Sequence, residues 1–185
     1  MNFLSVNLRG LGGALKSDWI RSIRRDQGIN FVMIQESKHS GISHSLLSKF
    51  WGSGNFGWEA VDSVGQSGGI VSMWDESLFS LEVSTKNRNF LFLRGRLIGS
   101  NTSINVLNVY APQGVLAKKA VWDLLASLID SNDGYWFIGG DFNAVRFREE
   151  KRNCSFKHSC ASNFNSFIFD PGLIEYDFNG RQFTW

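Results

Sequence analysis

The chain has 185 residues, 43% of them hydrophobic and 19% charged, with a formal net charge of +2. That length suits one domain, spanning 1–185, with a sizeable core, and that composition excludes a disordered or collagen-like chain. The small net charge does not by itself identify a polyanionic partner, and two cysteines make no disulfide framework.

In chain order, residues 3–8 (FLSVNL) predict a short strand ending at Asn7, Arg9 and Gly10. A helix is predicted over 14–27, with Leu15, Trp19, Ile20 and Ile23 on one face and Arg21, Arg24 and Arg25 on the other. Residues 29–37 (INFVMIQES) form a continuous apolar run ending in Glu36, the pattern of a strand buried on both faces. Strand, helix, strand is the opening of an α/β architecture.

The middle of the chain differs. Segments 57–61, 67–74, 78–85, 89–97 and 103–112 read as strands separated by Gly, Asn, Asp and Ser turns, without helices between them. Such a run favours antiparallel pairing. Around Arg88 to Arg96, basic and apolar residues alternate, as in a strand with one solvated face.

A second helix is predicted over 114–130 from the spacing of Leu116, Ala120, Val121, Leu124, Leu125, Leu128 and Ile129. The next strand is YWFIGGDFNAV, followed by a charged loop over 146–158 and a third helix over 159–169. The chain stops at GRQFTW, where FTW reads as the start of a strand; this predicts a chain incomplete at its C-terminus.

No run approaches the ~20 apolar residues of a membrane span. The opening MNFLSVNLRG lacks the basic segment and apolar stretch of a signal peptide. An intracellular, non-secreted protein without a membrane partner is expected. CSFKHSC offers Cys154, His158 and Cys160 as ligands, but no second cluster stands at a zinc spacing, so free thiols are the preferred reading.

Polar groups gather at the strand ends: Asn7, Glu36, Tyr110, and the pair Asp141 and Asn143. In an extended segment, positions i and i+2 project to the same side, so Asp141 and Asn143 are expected to face one spot. In α/β sheets, sites form where strand C-termini meet. Two acids, two amides and a phenol make a hard, oxygen-rich set that suits Mg²⁺ or Mn²⁺ over zinc, and carboxylate-held Mg²⁺ commonly acts on phosphate esters. Taken singly, each residue has a plainer reading. Asn7 suits a turn, Glu36 a loop, Tyr110 a core ring with its hydroxyl at the surface, and Asp141 an Asx-turn.

The motifs SVNLRG, IQES, SGGIVSMW, NVYAP and GGDFNAV, in this order, resemble the exonuclease–endonuclease–phosphatase superfamily, which includes abasic-site endonucleases and DNase I-like enzymes. EEKRN and the tail FNSFIFDPGLIEYDFNGRQFTW are similar to the endonuclease domain of plant LINE-type (non-LTR) retrotransposons. The resemblance implies a four-layer α-β-β-α sandwich of two mixed sheets, DNase I-like and here lacking its last strands. It implies that Glu36 binds the divalent metal and that Asn7 helps to bind or orient it. Asp141 would position and deprotonate the attacking water. Asn143 would hydrogen-bond in the same cluster, Tyr110 would donate to the phosphate, and Gln35 and Lys38 would lie nearby.

Two departures stand out. Val6 replaces a Trp frequent in the family. The family's later Asp and terminal Ser-Asp-His segment have no counterpart in this chain, so the polypeptide alone is expected to be weak or inactive. The expected function is DNA nicking that primes reverse transcription, in the nucleus if the target is host DNA, with a reverse transcriptase region downstream in the full-length element. A small-molecule or RNA phosphodiesterase or phosphatase, and a decayed non-catalytic remnant, are the alternatives.

Overall fold

The computed structural model describes residues 1–65, 67–151 and 155–176. They fall into two compact units, one of Met1–Tyr110 with Gly134–Asp141, the other of Ala111–Asp133 with the described residues from Phe142 onward.

The first unit holds eight strands in two four-stranded mixed sheets. One sheet has the order β1 (Phe3–Asn7), β2 (Phe31–Gln35), β4 (Ile70–Asp75), β3 (Phe56–Val61). β1 and β2 are parallel, and the other pairs are antiparallel. The second sheet has the order β5 (Phe79–Asn87), β6 (Phe90–Leu97), β7 (Ser103–Tyr110), β8 (Tyr135–Asp141). Its β5–β6 and β6–β7 pairs are antiparallel, as the helix-free run predicts, and β7 and β8 are parallel.

The apolar run of β2 serves both of its faces. Val32 and Ile34 pack with Ile20, Leu47, Phe50 and Trp51 from two helices, α1 (Ala14–Asp26) and α2 (His44–Trp51). Phe31 and Met33 point the other way and pack with Phe79, Leu91, Leu93 and Val106 of the second sheet. This gives the helix, sheet, sheet layering of a DNase I-like α/β fold.

Several sequence expectations are corrected here. The sequence predicts no element over α2, yet its signals are ordinary. Ser43 caps the helix by accepting from the Leu46 N–H (3.3 Å), Leu47, Phe50 and Trp51 are buried at helical spacing, and Gly52 ends it at φ 86°. In α1 the predicted apolar face is rotated: Leu15 and Trp19 are exposed, while Ser17 and Ile20 are buried. Arg24, expected on the solvated face, instead lies over the Trp51 ring at 3.8 Å and donates to the Trp51 carbonyl (3.1 Å). The guanidinium stacks on the ring face, a cation–π contact.

The second unit contains α3 (Val115–Asp130) and α4 (His158–Phe169), with one 3-10 turn at Arg148–Glu150 inside the predicted charged loop. The Trp122 ring gathers Phe142, Phe164 and Phe167, with centroids 5.8, 5.2 and 5.1 Å away. The buried stripe of α3 is Lys118, Val121, Trp122 and Leu125, whereas Leu116 and Leu124 are exposed. The predicted stripe took in aliphatic residues on both sides of the buried face and passed over Trp122 and Lys118. Residues 183–185 lie outside the described residues, as does Cys154. Among the described residues, no helix is long and apolar enough to cross a membrane.

Inside the first unit, a buried amide network ties the sheets together. Asn108 of β7 accepts from Gln35 Nε2 at 2.6 Å and donates to the Val71 carbonyl (2.9 Å) and Ser72 Oγ (3.1 Å). A buried polar group left without its partner costs about 1–3 kcal/mol. Asn108→Ala removes the partner that Gln35 Nε2 meets at 2.6 Å and leaves it only the longer contacts to Ser5 Oγ (3.2 Å) and the Met33 carbonyl (3.4 Å), so it is expected to lower the urea midpoint of unfolding at unchanged m-value. An unaltered midpoint would show that the network carries no stability.

Candidate active site

Parallel pairing delivers two strand ends together in each sheet. Asn7 is in register with Gln35 at the end of β1 and β2, and Tyr110 with Asp141 at the end of β7 and β8. The chain then leaves β2 through Glu36 and Lys38, both in the left-handed region at φ 52° and 49°. Backbone bonds hold this turn: Gly10 N–H donates to the Glu36 carbonyl (2.6 Å), and Ser37 and Lys38 N–H donate to the carbonyls of Gly69 and Gly68 (3.0 Å each). Gly69 is required there, since a Cβ would lie 2.1 Å from Ser37 Oγ.

The GG of GGDFNAV has the same kind of cause. At Gly140, φ is +144°, and a Cβ would lie 2.0 Å from the Val109 carbonyl oxygen. Only glycine lets β8 approach β7 closely enough to deliver Asp141 beside Tyr110.

Four of the predicted residues converge in the first unit. Asn7 Nδ2 donates to Glu36 Oε1 at 3.0 Å and to Asp141 Oδ2 at 2.8 Å, while Asn7 Oδ1 accepts from the Arg9 N–H at 3.2 Å. The Tyr110 hydroxyl lies near enough to Glu36 for each group to shift the other's titration. Lys38 Nζ forms an ion pair with Glu36 Oε2 at 3.2 Å. Gln35 lies beneath this group, 1% exposed and turned into the amide network.

Asn143 is placed differently from the expectation. β8 ends at Asp141, and Asn143 has left-handed φ (49°), so the alternation of an extended strand no longer applies. Asn143 belongs to the second unit, where its Oδ1 accepts from Gln113 Nε2 (2.8 Å) and its Nδ2 donates to the Ala111 carbonyl (2.7 Å). The sequence reading missed Gln113, Lys118 and Asn108. Asn108 shares the Tyr110 side of its strand, and Lys118 falls in phase with the buried stripe of α3. Both are polar residues at apolar phases, a pattern that marks the position without naming its partners.

The electrostatics follow from these contacts. Burial pushes the Glu36 carboxyl up, but the hydrogen bonds from Asn7 and Lys38, the Lys38 charge and the Tyr110 hydroxyl outweigh it and hold the group below its ordinary 4.5. Its contribution to stability is therefore present above the unfolded value and lost as pH falls through the folded one. Burial, then the charge and hydrogen bond of Glu36 and the charge of Asp141, raise Tyr110 above 10.0. The phenol is thus kept protonated, as a hydrogen-bond donor, across neutral pH.

The donor set fits a hard dication. Among the described residues no three His, Cys, Asp or Glu side chains gather, so Glu36 and Asp141 stand as a carboxylate pair with amide and phenol neighbours. Mg²⁺ is commonly held by one or two carboxylates and keeps water and substrate phosphate as its other ligands.

No protein-family model matches the sequence, and no curated protein matches it. Solved structures do. The AP endonuclease LMAP of Leishmania major matches over 90% of this chain and 65% of its own, at 12% identity and TM-score 0.64. The APE2 catalytic domain of Xenopus laevis matches over 94% and 69%, at 15% identity and TM-score 0.68. An AP endonuclease of Archaeoglobus fulgidus matches over 91% and 70%, at 14% identity and TM-score 0.65. The chain spans about two thirds of the length of these proteins. At such identities the likeness establishes the fold, which is the DNase I-like fold of AP endonucleases.

The raised Tyr110 gives a pH-dependent signature. Because the folded state holds this proton more tightly, the associated stability is present below pH 10 and is lost as pH rises through the folded value. Ultraviolet titration is expected to show Tyr110 ionising above pH 10, with a lower midpoint in Glu36→Gln, where the neighbouring charge is gone. A midpoint indifferent to Glu36 would contradict the contact.

Proposed function

We propose that this chain carries a divalent-metal-dependent phosphodiester-hydrolysing site whose substrate is DNA. The observation that supports it best is the single Asn7 amide donating to both Glu36 and Asp141, with Tyr110 on the same carboxylate. Bound there, Mg²⁺ or Mn²⁺ would offset charge on the phosphoryl oxygens.

The chain's own residues divide the remaining work. Glu36 would hold the ion, and Asn7 fixes the two carboxylates in place. Asp141 takes the proton of the attacking water as general base. Tyr110 donates its hydroxyl to a non-bridging phosphate oxygen, where charge grows in the transition state. Asn143 hydrogen-bonds the reacting groups, and Lys38 balances the charge of Glu36 until substrate arrives.

The finer assignment is the endonuclease of a plant non-LTR retrotransposon, nicking nuclear DNA so that a reverse transcriptase of the same element can extend the free end. The motif order from SVNLRG to GGDFNAV and the segments that follow support it. The structural neighbours named as AP endonucleases agree with DNA as the substrate class.

Calorimetric titration with Mn²⁺ is expected to give binding that Glu36→Gln weakens more than about tenfold; equal affinity in the variant would remove Glu36 from the site. Joined to an in-frame downstream segment supplying Ser-Asp-His, the chain is expected to nick supercoiled plasmid in Mg²⁺. Asp141→Asn should slow this by about 10²–10⁴-fold. Hydrolysis of RNA or small phosphate esters, with plasmid left intact, would favour a phosphodiesterase or phosphatase. No hydrolysis by the extended chain would favour a non-catalytic remnant.

A further inference from the structure

Lys118 sits in the first turn of α3 and is only 6% exposed. Two effects oppose a cation at this position. Burial strips the ammonium of water, and the N-terminal end of a helix is itself positive. Among the described residues it forms no salt bridge with a carboxylate. Its Nζ instead donates to the Asn143 backbone carbonyl and approaches Cys160 Sγ at 3.7 Å.

The same short segment grips Asn143 at two further atoms. Gln113 donates to its side-chain oxygen, and the Ala111 carbonyl accepts from its side-chain nitrogen. Asn143 adopts a left-handed backbone conformation, which asparagine tolerates better than other residues with a Cβ. Residues 111–118 hold it there from three directions, and Lys118 supplies the one charge-assisted bond among the three.

We propose that Lys118 is a positioning residue for Asn143. It fixes the backbone from which the carboxamide projects, so that Asn143 is preorganised before substrate binds. Among the described residues this buried charge has no salt-bridge partner, which makes it a poor device for stability alone, and its charge-assisted bond goes to a residue of the proposed reaction. The inference rests on the reading of Asn143 as a site residue.

Lys118→Met removes the charge at similar length, and Lys118→Arg keeps it. The readout is hydrogen exchange of the Asn143 side-chain amide, with the Asn108 side-chain amide of the first unit as reference. Lys118→Met is expected to speed exchange at Asn143 more than tenfold over any change at Asn108, and Lys118→Arg to restore most of the protection. Equal acceleration at both amides, or no change at Asn143, would overturn the proposal by reducing Lys118 to a general stabiliser. Should Lys118→Met not fold, Lys118→Gln is read the same way. In plasmid nicking by the extended chain, Lys118→Met is expected to lower kcat about tenfold at unchanged KM. If wild type and Asp141→Asn nick alike, the endonuclease reading fails, and the exchange comparison still decides the role of Lys118.

Discussion

One amide group holds the candidate site together. Two carboxylates brought near a common point repel one another, by roughly 1–4 kcal/mol at about 4 Å depending on how well solvent screens them. Asn7 answers that repulsion by donating one N–H to Glu36 and the other to Asp141, while its carbonyl is fixed by the Arg9 backbone. Both N–H groups and one lone pair of this carboxamide point at specified partners, so it cannot rotate without losing one. Lys38 and Tyr110 add a cation and a neutral donor on the Glu36 side. The result is a concentrated negative site with partial compensation, the condition under which a hard dication binds and leaves positions for water and phosphate.

The two sheets exist, in functional terms, to bring three strand ends to that amide. β1 and β2 are parallel and end in register at Asn7 and Gln35; β7 and β8 are parallel and end in register at Tyr110 and Asp141. Parallel strands deliver their C-termini to the same side, which antiparallel neighbours do not. Between the sheets, the rings of Phe3 and Phe137 stack at 3.5 Å, and a Cβ at Gly139 would meet Met33 Cε at 2.6 Å. The third glycine pair of the chain, Gly139 and Gly140, sits at this close approach, and a Cβ at Gly140 would clash with the Val109 backbone. Asn108 and Gln35 then fix the sheets against sliding, one layer below the carboxylates.

Strand ends were the most legible part of this molecule. Apolar runs that stop abruptly at Asn7, Glu36, Tyr110 and Asp141 announce a buried strand followed by a polar tip, and all four tips meet. Helix faces were less legible, because apolar spacing says which residues are compatible with burial and not which are covered. Leu15 and Leu116 are exposed, whereas Lys118 is buried; the tertiary environment chose the phase. The short helix α2 escaped because its apolar content is brief, although Ser43 and Gly52 mark both of its ends. For Asn143 the alternation argument fails for a physical reason too: it holds only while φ stays extended, and β8 ends before it. The amide network was the least legible, since an asparagine inside SINVLNVY looks like a defect until its partners on the other sheet are known.

Paramagnetic relaxation by Mn²⁺ in a labelled sample tests the central claim most directly, since broadening falls steeply with distance from the ion and needs no turnover. The account predicts that substoichiometric Mn²⁺ first broadens the Asn7 side-chain amide and the Tyr110 ring, and that Glu36→Gln abolishes this pattern. Broadening that spares Asn7 and Tyr110, or that persists unchanged without the Glu36 carboxylate, would contradict it.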